Sequence, residues 1–301
     1  MITTFEQIFD ELRAKPKKRL VAAWAVDDHT INAARLAVEK GIVEAILVGD
    51  QDKIQKTCKD EGIDSSIFTI VHNEDETKSV AQAIDIINEG KGDILMKGLC
   101  STDKYMRGIL NKERGLLPPK AVLSHVTLMS IPSYHKMLVV SDIAVIPAPD
   151  LTQKIAMTNY VANTARALGI QKPKVAIIAA TEQMLPGMQA CVDAAIISKM
   201  GDRAQIKGCV IDGPLALDVA LSKEAVEIKK LESPVAGDAD CLVFPNLESG
   251  NVFYKTNTQL VCDIKLAAIV AGAKVPCVLS SRADSIDTKL NSIALAALMA
   301  K

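Results

Sequence analysis

Short apolar runs alternate with helical patterns from the start of the chain, and no other feature restricts its folding as much. Residues 20–26 precede a helical pattern over 31–40, residues 45–48 precede 54–61, and residues 68–71 precede 79–89. Parallel strands must be joined by a crossover of a dozen or more residues, usually helical, so this rhythm predicts a parallel sheet with helices on both faces. A further strand over 93–96 ends at Lys97-Gly98, and Thr102 or Asp103 is placed to cap the helix that carries Arg107.

The rhythm breaks at 122–140, where 122–131 and 136–140 flank Pro132-Ser133-Tyr134 and read as two extended segments joined by a turn. Beyond Asp150 it resumes, with a helix over 151–168, a strand over 174–179, a helix over 192–200 and strands at 207–211 and 241–244. The Ala-rich stretch 266–275 reads as a buried helix, and a strand over 277–279 leads to a last helix over 286–301. A chain of 301 residues, 49% of them hydrophobic, can bury a large core and by length divides into about two domains.

Charge and composition remove several functional classes. With 35 basic and 36 acidic residues there is no basic excess for a nucleic-acid backbone, and at 3% aromatic content few bases could be stacked. Seven cysteines, at 58, 100, 191, 209, 241, 262 and 277, form no Cys-x-x-Cys pair and cannot all close into disulfides, which fits a reducing cytoplasm. Residues 1–18 lack the apolar core of a signal peptide, and no run approaches the roughly 18 apolar residues of a membrane span. Histidines 29, 72, 125 and 135 lie far apart with no i, i+4 pair, so no metal site is expected. Neither a G-x-G-x-x-G nor a G-x-x-x-x-G-K-[ST] motif is present, which disfavours a dinucleotide or nucleoside-triphosphate site.

Chemistry-bearing residues collect at the predicted strand ends: Asp27-Asp28, Gly49-Asp50, His72, Lys97-Gly98, Thr181-Glu182, Asp212-Gly213 and Ser281-Arg282. Ligands of open parallel sheets gather outside the carboxyl ends of strands, and a helix start adds free N–H groups that favour anions. In the segment 275–285 an apolar strand runs into Ser281-Arg282, placing a hydroxyl and a permanent cation where a phosphate or an oxyanion would sit. A cap and a surface charge is the plainer reading of that pair taken alone. Lys97-Gly98 with Ser101, Thr102 and Arg107 suits a phosphate group, and a solvated strand end with a helix cap explains the same residues equally well. Cys100 reads as a small buried residue before it reads as an acyl carrier, and His125 as structural before catalytic.

Seven blocks in register extend these fragments over nearly the whole chain: Leu95-Met96-Lys97-Gly98, Ser124-His125, the 141–145 run, Ala148-Pro149-Asp150-Leu151, the 212–218 run, the 238–251 run and the 275–285 segment. Together they resemble the phosphate acetyl/butyryl transferase family, and the wording Leu-Ser-Ser-Arg-Ala-Asp-Ser at 279–285 is closer to the butyryl branch. The resemblance implies an α/β fold of two lobes, a three-layer parallel/mixed sheet of the isocitrate/isopropylmalate dehydrogenase-like type with the active site in the interlobe cleft. It implies a first lobe of 1–125 plus 275–301 and a second lobe of 126–274.

The activity implied is transfer of a short-chain acyl group, butyryl or similar, between coenzyme A and inorganic phosphate by direct attack in a ternary complex. Acetyl transfer is the near alternative. A metal-dependent decarboxylating dehydrogenase on the same fold, or a non-catalytic binder of coenzyme A or phosphate, is the alternative of another class. Such a transfer asks little of proton transfer, since a thiol of pKa about 8.5 is already partly ionised near neutrality and phosphate is largely dianionic. Stabilising the oxyanion is the harder task, and Arg282 with its rigid fork of donors suits it. By resemblance the catalytic residues are Ser281 and Arg282 with Asp284 or Asp287 as base, although the acetyl branch's aspartate falls here at Thr288. Asp284 would serve equally as the cap of the last helix. The substrate-binding set is Lys97, Gly98, Ser101, Thr102, Arg107, Ser124, His125, Asp212, Gly213, Gly250, Asn251 and Lys255. No cofactor beyond the substrates is expected, and a homodimer or larger homo-oligomer is.

Overall fold

A computed structural model describes residues 1–279 and 284–301. In chain order its elements are α1 (Phe5–Arg13), β1 (Lys18–Ala23), α2 (Asp28–Glu39), β2 (Val43–Gly49), α3 (Gln51–Asp60), β3 (Thr69–His72), α4 (Glu76–Asn88), β4 (Ile94–Lys97) and α5 (Thr102–Ile109). There follow β5 (Ser124–Ser130), β6 (Leu138–Ser141), α6 (Leu151–Ala167), β7 (Lys174–Ile178), α7 (Gln189–Asp202), β8 (Val210–Leu215), α8 (Leu217–Leu221) and α9 (Lys223–Lys229). The chain closes with β9 (Cys241–Val243), α10 (Leu247–Leu260), β10 (Lys265–Ala271), β11 (Cys277–Val278) and α11 (Ile286–Met299). Aspartates start many of the helices: Asp27, Asp50, Asp75 and Asp150 each accept a backbone N–H of the first turn, and Asp150 completes a capping box with Gln153.

Two units divide the chain, each a mixed sheet with helices. One comprises Phe5–Leu123 with Leu266–Lys301. Its strand order is β3-β2-β1-β4-β11-β10, parallel from β3 to β11, with β10 antiparallel on β11. The chain steps outward from β1 to β2 to β3, and α4 then carries it back to β4 on the other side of β1. Parallel crossovers are right-handed, so α2 and α3 lie on one face of this sheet and α4 on the other. The strand order therefore reverses between β1 and β4, and that switch point is where open α/β sheets bind ligands. Leu20, Val21, Ala22 and Ala23 of β1 are all buried, the continuous apolar run of a strand covered on both faces.

The other unit comprises Met1–Thr4 with Ser124–Lys265, in strand order β5-β6-β9-β7-β8. β5 and β6 are the antiparallel pair expected from the break in rhythm, with Thr127 opposite Val140, and β6, β9, β7 and β8 run parallel. Buried Lys154 of α6 and Asp193 of α7 form an ion pair of 2.7 Å, and Gln189 donates to the second carboxylate oxygen at 2.8 Å.

Three local expectations are corrected. The Ala-rich run is the strand β10, not a helix: Val270 pairs with Cys277 across the ladder, and Ala268 N–H donates to Ser292 Oγ at 2.9 Å. Alanine is the best intrinsic helix former, but propensity is a weak determinant and partners distant in sequence decide. Asp212, Gly213 and Pro214 lie within β8 rather than beyond it; β8 ends its unit's strand order, where a proline without an N–H is tolerated. Ser101, not Thr102 or Asp103, caps α5, and Ser285, not Asp284, caps α11. Among the described residues no helix is long and apolar enough to cross a membrane.

Replacing Asp193 by Ala leaves the Lys154 ammonium buried without its partner, and we expect a loss of about 3 to 5 kcal/mol in urea unfolding. The double change Lys154→Met with Asp193→Leu should recover most of that loss.

Candidate functional site

The exits of β1 and β4 are locked together by backbone. Gly98 N–H donates to Ala23 O and Leu99 N–H to Trp24 O, both at 2.9 Å. A Cβ on Gly98 would lie 2.4 Å from Trp24 O, so only glycine fits this approach. Trp24 itself takes the left-handed conformation, at φ 54°, and turns the chain toward α2. Asp27 Oδ2 then accepts both Thr30 N–H and Thr30 Oγ1 at 3.0 Å, whereas Asp27 Oδ1 is shielded from water and has no hydrogen-bond partner.

Lys97, at the end of β4, is not a solvated strand end. It is 4% exposed, and its Nζ donates to Gly98 O at 3.0 Å. β11 runs parallel beside β4, and of the expected catalytic residues Ser281, Arg282 and Asp284 fall in the chain between β11 and α11 and Asp287 in α11 itself. Ser281 and Arg282 lie outside the described residues. Asp284 O is 3.2 Å from His29 Nδ1, and Ser285 Oγ accepts Thr288 N–H at 3.1 Å to start α11. Asp287 is exposed in the first turn of α11, a position that suits the helix dipole.

Lys289, one turn into α11, is 3% exposed. Burial pushes its ammonium pKa down, opposed by Asp284 and Asp27, while Lys97 pushes it further down. Two buried lysines and two aspartates thus share one electrostatic neighbourhood at the mouths of β1, β4 and β11. The sequence did carry a signal for Lys289: it falls on the i, i+4 stripe with Ile293 and Ala297, all buried. A lysine on such a stripe reads as an interruption, and it was not among the expected site residues.

The start of α5 differs from the phosphate cradle expected there. Ser101 N–H donates to Glu76 at 2.7 Å, and Lys104 pairs with the same carboxylate at 2.6 Å, so an internal anion already occupies the helix start. Thr102 is exposed, and Arg107 lies on the helix surface, paired with Asp103 at 2.9 Å. Cys100 is fully buried with Sγ 3.6 Å from Ala23 O. Burial raises its thiol pKa to about 11, with nearby Lys97 opposing the shift, so the nucleophilic thiolate is scarce near neutrality.

In the other unit a second cluster forms around buried Asp142. One carboxylate oxygen accepts Ser124 Oγ at 2.8 Å and His125 N–H at 2.9 Å, and the other accepts Ala144 N–H and Val145 N–H at 2.8 Å. Ser124 Oγ also meets Ser141 Oγ at 2.8 Å, and His125 Nδ1 lies 3.2 Å from Thr127 Oγ1. Asn251 donates to Ile143 O at 3.0 Å, and a Cβ on Gly250 would fall 2.2 Å from Asp142 O. Ser124 and His125 are therefore held by the carboxylate of Asp142, which was not among the expected site residues, and Gly250 and Asn251 pack on the backbone of Asp142 and Ile143. Lys255 is exposed further along α10. Asp212, inside β8, accepts Gly213 N–H at 2.8 Å and belongs to neither cluster.

The family model described as Phosphate acetyl/butaryl transferase matches residues 3–85 and 76–297. The chain is 45% identical over 300 residues to a phosphate butyryltransferase of Clostridium acetobutylicum, covering 100% of this chain and 99% of the relative. It is 38% identical over 295 residues to a phosphate acetyltransferase of Thermotoga maritima, covering 98% and 99%. Among solved structures it is similar to a branched-chain phosphotransacylase from Enterococcus faecalis V583, with a TM-score of 0.82, 28% identity and coverage of 94% and 98%.

Exposure and burial order the thiols. With an aromatic disulfide reagent at about pH 8, below the raised pKa of Cys100, we expect fast labelling at exposed Cys262 and none at Cys100 until denaturant is added. Peptide mapping of the labelled protein checks this, and fast labelling of Cys100 would restore it as a nucleophile.

Proposed function

Because the chain belongs to the phosphate acetyl/butyryl transferase family, we propose that it transfers a short-chain acyl group, butyryl or similar, between coenzyme A and inorganic phosphate. The observation that carries this reading is the pair of buried cations, Lys97 at the exit of β4 and Lys289 in α11, the helix that follows Ser281 and Arg282 in the sequence. A site that keeps positive charge out of water is suited to a dianionic nucleophile and to the oxyanion formed when it attacks a thioester. In the proposed sequence a phosphate oxygen bonds to the thioester carbonyl carbon. The tetrahedral oxyanion then collapses, the carbon–sulfur bond breaks, and coenzyme A leaves as a thiolate that takes up a proton. Arg282 would hold the phosphate and the oxyanion, Ser281 would hydrogen-bond the sulfur or the phosphate, and Asp284 or Asp287 would exchange the proton.

The same reading places Lys97 and Gly98 in the phosphate region, and Ser124, His125, Gly250 and Asn251 in a wall organised by Asp142. It includes the finer fold assignment, a dehydrogenase-like pair of lobes with 1–125 plus 275–301 as the first and 126–274 as the second, reacting in the interlobe cleft. It also includes a cytoplasmic location and no cofactor. A homodimer or larger assembly belongs to it as well, supported by exposed Met184, Leu185 and Ile196 beside one another near α7.

Purified protein should release free thiol from butyryl-coenzyme A only when phosphate is added, and dialysis against a chelator should leave the rate unchanged. Absence of phosphate-dependent thiol release removes the proposal. Rates with acetyl, butyryl and branched acyl groups rank the acyl preference, because one methylene in an apolar pocket is worth only about 1 to 3 kcal/mol. Arg282→Ala should lower turnover by at least about 100-fold while the circular dichroism spectrum stays unchanged. Turnover within about threefold of the parent takes Arg282 out of the mechanism.

A further inference from the structure

Asp27 holds an unusual atom. Its carboxylate is fixed through Oδ2, which accepts two hydrogen bonds from Thr30, while Oδ1 is hidden from water without a donor. A buried acceptor left without a partner is costly, and more so when charged. The neighbourhood supplies charge rather than that missing hydrogen bond: buried Lys289 senses Asp27, Asp284 and Lys97, yet none of them donates to Oδ1.

A ligand matching this arrangement must do two opposite things. It must carry negative charge, to suit two lysines withheld from water, and it must offer a proton, to suit a carboxylate oxygen. Few small anions do both near neutrality. Hydrogen phosphate does, because an inorganic phosphate that has lost two of its three protons is a dianion that keeps one P–OH. Sulfate has the same shape and charge and no proton to give. Against Asp27 it would leave Oδ1 unpaired and set two anionic oxygens face to face.

We infer that Asp27 is the residue that selects hydrogen phosphate over sulfate, accepting the P–OH through Oδ1 while Lys97 and Lys289 balance the dianion's charge. This rests on the reading of phosphate as a substrate. No bond is made or broken in the selection itself; Asp27 reads one proton and holds the other three oxygens free for attack and for the cations.

The test is Asp27→Asn, which can keep the Thr30 bonds through its carbonyl oxygen while turning the buried acceptor into an N–H donor. In the parent, the inhibition constant of sulfate should exceed the KM of phosphate by at least about 10-fold. In Asp27→Asn the phosphate KM should rise and the sulfate inhibition constant fall, leaving the two within about threefold, with the acyl-coenzyme A KM little changed. Asp27→Ser keeps a cap without a carboxylate and should weaken phosphate without strengthening sulfate. Thermal stabilisation of each protein by phosphate and by sulfate gives the same comparison without turnover and reports whether the variants fold. Equal discrimination in parent and Asp27→Asn, or an effect confined to the acyl-coenzyme A KM, overturns the inference. A parent stabilised by phosphate over sulfate but unable to release thiol would instead remove the proposed function and leave the selectivity of Asp27 standing.

Discussion

The contact on which the candidate site depends is made of backbone alone: Gly98 and Leu99 N–H groups on the carbonyls of Ala23 and Trp24. It holds the exits of β1 and β4 together where the strand order reverses. A side chain of any size at residue 98 would push them apart, because its first carbon would overlap Trp24 O. Charged residues flank this junction in the chain. Lys97 precedes it, Asp27 follows the turn from β1, and Lys289, in the helix after β11, feels the charge of both.

Burying lysines is expensive unless opposite charge and hydrogen bonds accompany them. Asp27 and Asp284 supply the charge near Lys289, and Gly98 O takes one proton of Lys97. The Asp142 cluster solves the converse problem with a different means. There a buried carboxylate has four donors, three of them backbone N–H groups and one the Ser124 hydroxyl. One arrangement gathers charge at the strand exits; the other spends its hydrogen bonds in shaping the loop that Asn251 and Gly250 pack against.

Much of this organisation was legible in the residues. Short apolar runs alternating with helical patterns located the strands around 20, 45, 70 and 95 and the helices between them, because a covered parallel strand and its crossover helix must each be apolar in a recognisable way. The Ala-rich run at 265–271 was misread because alanine is compatible with either state, and its ladder partner Cys277 lies beyond a turn that local propensity does not register. Helix starts were displaced by one residue at Ser101 and Ser285, where neighbouring residues are equally good caps. Arg107 fitted a phosphate cradle by spacing alone, whereas Glu76, 25 residues before Ser101, already fills the start of α5.

The sequence by itself determined the alternating α/β class, the antiparallel pair at 124–141 and the family, since these follow from local periodicity and from motifs read in register. Only the tertiary structure decided that Lys289 is buried beside Lys97, that Asp142 gathers Ser124 and His125, and that one oxygen of Asp27 is left without a donor. Each of those is a meeting of atoms distant in the chain, and burial, hydrogen bonding and charge are properties of what a residue touches rather than of what it is.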